Sequence, residues 1–152
     1  MNARTLALLL PLSLIVGALG SEFIGKLYPC EMCHWQRWPH YAAIVLAALA
    51  FLPVGRGVRR GLILLAAIAI AISGAIGVFH AGVEYGLWEG VTRCSIMNAD
   101  GGDILADIMA SPLIRCDQPQ WTLFGISLAG YNAIFSLGGA WLILRLWKRP
   151  SH

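Results

Sequence analysis

An all-α integral membrane protein, a bundle of four transmembrane helices, is the fold class this sequence predicts, and three observations carry the prediction. Of the 152 residues, 58% are hydrophobic and only 12% charged, a balance far too apolar for an ordinary soluble domain. Four apolar segments each approach the ~20 residues that cross a hydrocarbon core. When those segments are laid antiparallel, the charges fall on two sides. The length is that of one domain.

The first span covers residues 5–24, behind Arg4. Its basic start and small-residue end also describe a secretory signal peptide, but the run is long for one, and cleavage would leave three spans. An uncleaved signal anchor is therefore expected. The second span covers 38–54, with Pro39 suited to the first turn of a helix and Trp35 and Trp38 at the membrane boundary. A tight basic turn at 55–60 is followed by the third span, 61–80, and the fourth covers 122–146. Outer loops at 25–37 and 81–121 complete the layout.

Arg4, Arg56, Arg59, Arg60, Arg145, Lys148 and Arg149 fall on one side, which the positive-inside rule makes cytoplasmic. All eight acidic residues and all four cysteines fall on the other side or at its border. Both termini are thus expected in the cytoplasm and the cysteines in the periplasm or an equivalent oxidising space. The net charge of +3 sets topology in this reading, and no nucleic-acid partner is expected.

The chemistry gathers at Cys30-Glu-Met-Cys33-His-Trp-Gln-Arg37. At about 100° per residue, Cys30, Cys33 and Arg37 share one helical face. A cation beside Cys33 favours its thiolate, the form that attacks disulfides and donates electrons. Four cysteines allow three pairings. In an oxidising compartment disulfides are the expected state, with Cys30 joined to Cys33 and Cys94 to Cys116 at rest. The four outer basic residues, Lys26, Arg37, Arg93 and Arg115, each lie within four positions of a cysteine, a placement that tilts toward exchange-competent sulfurs.

Other features are lesser signals. Residues 103–109 place Asp103 and Asp107 on one face and Ile104, Leu105, Ile108 and Met109 on the other, the pattern of a short interfacial helix. Asp100-Gly-Gly-Asp103 lacks the ligand spacing of a calcium loop. His80 and Glu84 form an i, i+4 pair at the outer end of the third span, where a histidine could assist proton transfer. Glu22 and Arg145 lie near span ends, and the scarcity of ionisable residues elsewhere argues against an ion path through the bilayer.

Taken together, the chain resembles the DsbB family of bacterial inner-membrane disulfide-generating proteins over nearly its whole length. The resemblance rests on Cys30-Glu-Met-Cys33 with Arg37, on His80-Ala-Gly-Val-Glu84 with Trp88, and on Cys116-Asp-Gln-Pro-Gln-Trp-Thr-Leu-Phe-Gly-Ile-Ser-Leu-Ala-Gly-Tyr-Asn132. It implies a monomeric four-helix bundle holding a quinone, ubiquinone or menaquinone, near Cys33, Arg37 and His80. It also implies a reduced thioredoxin-fold partner of the DsbA type that attacks Cys94, after which Cys116 attacks Cys30 and Cys33 delivers electrons to the quinone. The stretch between Cys94 and Cys116 is shorter than in the best-known member, which implies a tighter loop or a different partner.

Three rivals use fewer of these residues. Cys30-x-x-Cys33-His34 matches the c-type haem attachment pattern, with Met97 or Met109 as second axial ligand, but leaves Cys94, Cys116 and Arg37 without work. A zinc knuckle would need Cys94 and Cys116 closer in sequence, and no resident metal is expected. A non-catalytic scaffold with structural disulfides is the third.

Overall fold

The computed structural model describes residues 2–91 and 115–148. Among them are four helices and one short hairpin: α1 (Ala3–Phe23), α2 (Glu31–Leu49), α3 (Arg56–Glu84), β1 (Thr122–Leu123), β2 (Ile126–Ser127) and α4 (Leu128–Lys148). Two of the helices, α1 and α3, are long and apolar enough to cross a membrane. The proposed interfacial helix at 103–109 lies outside the described residues.

Each start has a local cause. Asn2 caps α1, its Oδ1 accepting the Thr5 N–H at 2.9 Å and the Thr5 hydroxyl at 2.8 Å, which satisfies donors the first turn leaves open. Helix α2 begins well before the position read from Pro39. Cys30 is its N-cap, with Sγ accepting the Cys33 N–H at 3.2 Å. Pro39 then falls inside the helix, where it removes one backbone donor.

Helix α4 also starts later than residue 122. Thr122 pairs with Ser127 and Leu123 with Ile126, and Phe124 and Gly125 both take positive φ, 50° and 78°, the two-residue turn suited to a twisted hairpin. Ser127 ends the hairpin and opens α4, its Oγ accepting the Gly130 N–H at 3.2 Å. Tyr85 fastens the hairpin to the end of α3, donating to the Gly125 carbonyl at 2.8 Å and accepting the Ser127 N–H at 2.9 Å.

The helices run up, down, up, down. Arg37 near the start of α2 meets Glu22 at the end of α1, and Arg4 near the start of α1 lies over Phe51 beyond the end of α2, 4.3 Å from the ring centroid. The main core is built from small residues, among them Ala7, Ala43, Ala47, Ala66, Ala67 and Ala140, around Ile70 and Ile143. Small faces let helix backbones approach closely, which is how helices associate where lipid leaves no hydrophobic driving force. Outward, the bundle is equally apolar: Val16, Val45, Leu65 and Trp141 are each more than half exposed. A soluble protein would not present such a surface on every helix.

At Gly77 the approach of α3 to α4 is closest to its limit, since a Cβ there would sit 3.0 Å from the Ala129 carbonyl oxygen and 3.1 Å from the Ala133 nitrogen. Backbone cannot yield as a flexible side chain does. Gly77→Val should therefore destabilise the detergent-solubilised protein by roughly 1–3 kcal/mol, the usual cost of overpacking. Gly57→Ala, which meets nothing within 4 Å, should stay within about 0.5 kcal/mol of the parent. Thermal unfolding followed by tryptophan fluorescence checks both; equal midpoints for the two variants would contradict the close contact.

A buried dithiol beside a cavity

The capping of α2 by Cys30 decides where the sulfurs sit. Cys30 is held at the helix entrance, almost fully buried, and the helical turn brings Cys33 back beside it with the sulfurs 2.7 Å apart. Both remain thiols, as does Cys116. The pair precedes residue 38, where the second span was read to begin. The positive end of a helix backbone is an environment that stabilises thiolates.

His80 comes from the outer end of α3 and is also almost fully buried. Its Nε2 lies 3.6 Å from Cys30 Sγ and 3.7 Å from Glu84 Oε1. Its Nδ1 lies 2.7 Å from Gln36 Nε2. Glu84 in turn accepts a short hydrogen bond from the Ser127 hydroxyl, so the ring is fixed from α2, α3 and the start of α4.

Behind His80 a polar ladder crosses the bundle. Asn132 Nδ2 donates to Gln36 Oε1 at 2.8 Å, and Asn132 Oδ1 lies 2.9 Å from His40 Nε2. The Ser73 hydroxyl donates to the Gln36 carbonyl at 2.7 Å and sits 2.9 Å from the same His40 nitrogen. The Ser136 hydroxyl donates to Asn132 Oδ1 at 2.9 Å. Buried polar groups need such partners where water is excluded. His40 qualifies the sequence reading of apolar segments almost without ionisable residues: it lies within α2, buried among these partners.

Arg37 shares the cysteine face but its guanidinium turns to α1, where it pairs with Glu22 at 2.5 Å and reaches the Ala18 carbonyl at 3.5 Å. The thiolate of Cys33 therefore owes most to its neighbour. The hydrogen bond from Cys30 lowers the Cys33 thiol below its ordinary range, burial opposes this, and Arg37 adds a smaller lowering. The same hydrogen bond, with burial, raises Cys30, so the two thiols are pushed in opposite directions.

A cavity of about 290 Å³ opens beside the pair. Leu14, Ile15, Ala18, Leu128 and Phe135 supply apolar wall, and Cys30, Cys33, Gln36, Arg37, His40 and His80 supply a polar side. The chain from 115 closes over it: Gln120 Nε2 donates to the Tyr28 carbonyl at 2.6 Å, and Arg115 forms an exposed pair with Asp117 at 2.5 Å that holds this carboxyl below its usual range. Cys116 is buried in one cluster with Cys30, Met32 and Val83, and its main chain lies against the His80 ring. Trp88 stacks on Phe79 at 5.9 Å between centroids and covers Gly82, where a Cβ would collide with the indole.

Thus Cys30, Cys33, Arg37 and His80 line one cavity, and Cys116 is buried in one cluster with Cys30. Cys94 lies outside the described residues, and with it the second half of the expected pairing. His34, third member of the haem pattern, is exposed. The sequence reading missed Gln36, His40, Ser73, Asn132 and Ser136. Their signal was polar side chains four apart within apolar runs, Gln36 with His40 and Asn132 with Ser136.

An apolar-coated helical bundle with a buried dithiol at one end defines a membrane protein of thiol redox chemistry. The chain belongs to the DsbB family: the family model described as disulfide bond formation protein DsbB matches residues 2–146. A disulfide bond formation protein B of Methylococcus capsulatus is 32% identical, over 97% of this chain and 96% of the relative. A disulfide bond formation protein B 2 of Pseudomonas syringae is 33% identical, over 82% and 75%, and an uncharacterized protein of Rickettsia prowazekii is 25% identical, over 77% and 70%. No solved structure matches the chain significantly. It is accordingly a disulfide-forming oxidoreductase of the membrane.

The asymmetry of the pair can be read by alkylation of the reduced protein. A lowered pKa keeps Cys33 deprotonated, and therefore reactive, as pH falls below the ordinary thiol value of about 8.5. The pH midpoint of Cys33 modification by iodoacetamide, followed by peptide mass spectrometry, should lie below that value and move upward in Cys30→Ala. A midpoint indifferent to Cys30 would remove the hydrogen bond from its assigned role.

Proposed function

We propose that the protein is a thiol:quinone oxidoreductase of the bacterial inner membrane that makes disulfides de novo and reoxidises a periplasmic DsbA-type thioredoxin-fold protein. The observation that carries this reading is the burial of Cys116 in one cluster with Cys30, which lines a cavity together with Cys33, Arg37 and His80. One end of that arrangement belongs to the chain that leads back to Cys94, and the other faces a mainly apolar space. The residues fit a quinone head: flat apolar walls from α1 and α4 would take a lipid-soluble ring, and Arg37, Gln36 and His80 would offer polar contacts to its oxygens.

All four helices cross the membrane in this reading. Apolar side chains face outward on α2 and α4 as they do on α1 and α3. At the end opposite the cysteines, Arg60 lies over Trp147 at 5.1 Å and Arg145 over Trp141 at 4.7 Å, a basic and aromatic margin that supports cytoplasmic termini.

The cycle begins with Cys30 and Cys33 joined and Cys94 and Cys116 joined. A thiolate of the reduced partner attacks Cys94, and Cys116 leaves as thiolate. The partner's second thiol then resolves the mixed disulfide, so the partner is oxidised and Cys94 and Cys116 are reduced. Cys116 attacks Cys30, and Cys33 leaves as thiolate into the cavity. Cys94 displaces Cys30 from Cys116, which re-forms the loop disulfide and leaves Cys30 and Cys33 reduced. His80 stands beside Cys30 with Nε2 3.6 Å from the sulfur, and because Gln36 Nε2 donates to its Nδ1 the Nε2–H can support charge that develops on Cys30. A quinone held beside Cys33, Arg37 and His80 would supply a two-electron, two-proton acceptor for the reduced Cys30 and Cys33.

The test is quinone reduction by the purified protein, driven by a reduced DsbA-type protein, with ubiquinone and menaquinone analogues compared. Turnover should vanish in Cys33→Ser and in Cys94→Ser. Arg37→Ala should raise the quinone KM about 10–100-fold, the loss expected for a charge-assisted hydrogen bond of ~1.5–3 kcal/mol. Turnover in Cys33→Ser, or none in the intact protein, would overturn the reading.

A further inference from the structure

We propose that the reduced dithiol is also a redox-gated site for a soft divalent cation of the Zn²⁺ class, held by Cys30 Sγ, Cys33 Sγ and His80 Nε2. These three ligand atoms lie within 4.8 Å of one another, all buried or half-buried. Zinc binds thiolate sulfur at about 2.3 Å and imidazole nitrogen at about 2.0–2.1 Å, so a tetrahedral sulfur-to-nitrogen edge is about 3.5 Å. The observed Cys30 Sγ to His80 Nε2 separation is 3.6 Å. One edge of the tetrahedron is therefore built before any ion arrives.

The sulfurs, at 2.7 Å, must part by roughly an ångström to reach a tetrahedral sulfur-to-sulfur edge. Rotation of Cys33 into the adjoining cavity provides this, because Cys33 lines that space. Two thiolates and an imidazole make a donor set that prefers zinc and its neighbours to oxygen-seeking magnesium or calcium. Gln36 Nε2, 2.7 Å from Nδ1, holds the ring in the metal-free protein; ligation through Nε2 moves the ring proton to Nδ1, and the Gln36 amide then turns its oxygen to accept it, as the partners of ligating histidines do. Glu84, 3.7 Å from Nε2, adds nearby negative charge. With three protein ligands, the fourth position stays open to the cavity.

Binding requires both thiols to give up their protons to solvent. A Cys30–Cys33 disulfide has no thiolate to offer, so only the reduced protein takes the ion. While bound, the ion occupies both sulfurs and blocks their return to the disulfide. The site needs only the dithiol and His80, and stands whether or not a quinone is the electron acceptor.

Co²⁺ serves as the probe, since tetrahedral thiolate coordination gives it charge-transfer and intense visible bands. The full-length detergent-solubilised protein, reduced and freed of reductant, should bind one Co²⁺, displaced by one Zn²⁺, and should lose reactivity of Cys30 and Cys33 toward iodoacetamide. The protein with its disulfides formed should bind none. Cys33→Ser should abolish the bands. His80→Ala should weaken Zn²⁺ by at least about 10–100-fold, since loss of even an orienting partner has that effect. His80→Gln, which keeps a polar side chain against Gln36, should weaken it likewise and guards against a folding defect. The spectrum should survive in Cys94→Ser/Cys116→Ser. Binding by the oxidised protein, affinity unchanged in both His80 variants, or a spectrum lost with Cys94 and Cys116 would each overturn the proposal.

Discussion

A polar cluster buried in a lipid-like interior must satisfy itself, and this requirement organises the molecule. No water is assumed between these helices, so each donor and acceptor carried inward by α2, α3 or α4 has to meet another. Gln36, His80, Asn132, Ser73 and the Nε2 of His40 do so within hydrogen-bonding distance of one another, while His40 Nδ1 is left without a partner among the described residues. Because every rung but Ser136 to Asn132 joins different helices, the ladder fixes the register of the bundle as well as the orientation of His80. The alanine and glycine faces around it have a matching role: they bring backbones close enough for short side chains to span the gap.

The dithiol inherits its character from this frame. Cys30 is at once helix cap, hydrogen-bond partner of Cys33 and neighbour of His80. Those contacts make the two sulfurs unequal although they sit on consecutive turns of one helix. Cys30 is the more buried of the two and is clustered with Cys116, and both residues line the cavity. Such inequality suits a protein of the proposed function, in which electrons pass from an aqueous partner to a lipid-soluble acceptor.

Electrostatics are arranged with equal economy. Arg37 enters the apolar region only with Glu22 as counter-ion, since an unpaired charge there would be prohibitively desolvated. Its partner leaves the guanidinium able to present its remaining donors to the cavity. At the opposite end, arginines stack on aromatic rings, where a cation keeps favourable contact while reaching toward water.

Sequence alone determined what depends on short-range spacing and on hydropathy: the apolar segments, the sidedness of charge, and the shared face of Cys30, Cys33 and Arg37. Helical pitch is a local property, so residues three and four apart meet whatever surrounds them. Tertiary structure decided the partners. Glu22 takes Arg37 from fifteen positions away, Asn132 takes Gln36 from ninety-six, and Cys116 joins Cys30 across the whole loop. The start of α2 and the hairpin at 122–127 were hidden for a related reason. A sulfur cap and a Phe-Gly turn look apolar in sequence, and only their hydrogen bonds to Cys33 and Tyr85 reveal them as boundaries. What a side chain can do is written in its type and spacing; which group it meets depends on how closely small-residue faces let the helices pack.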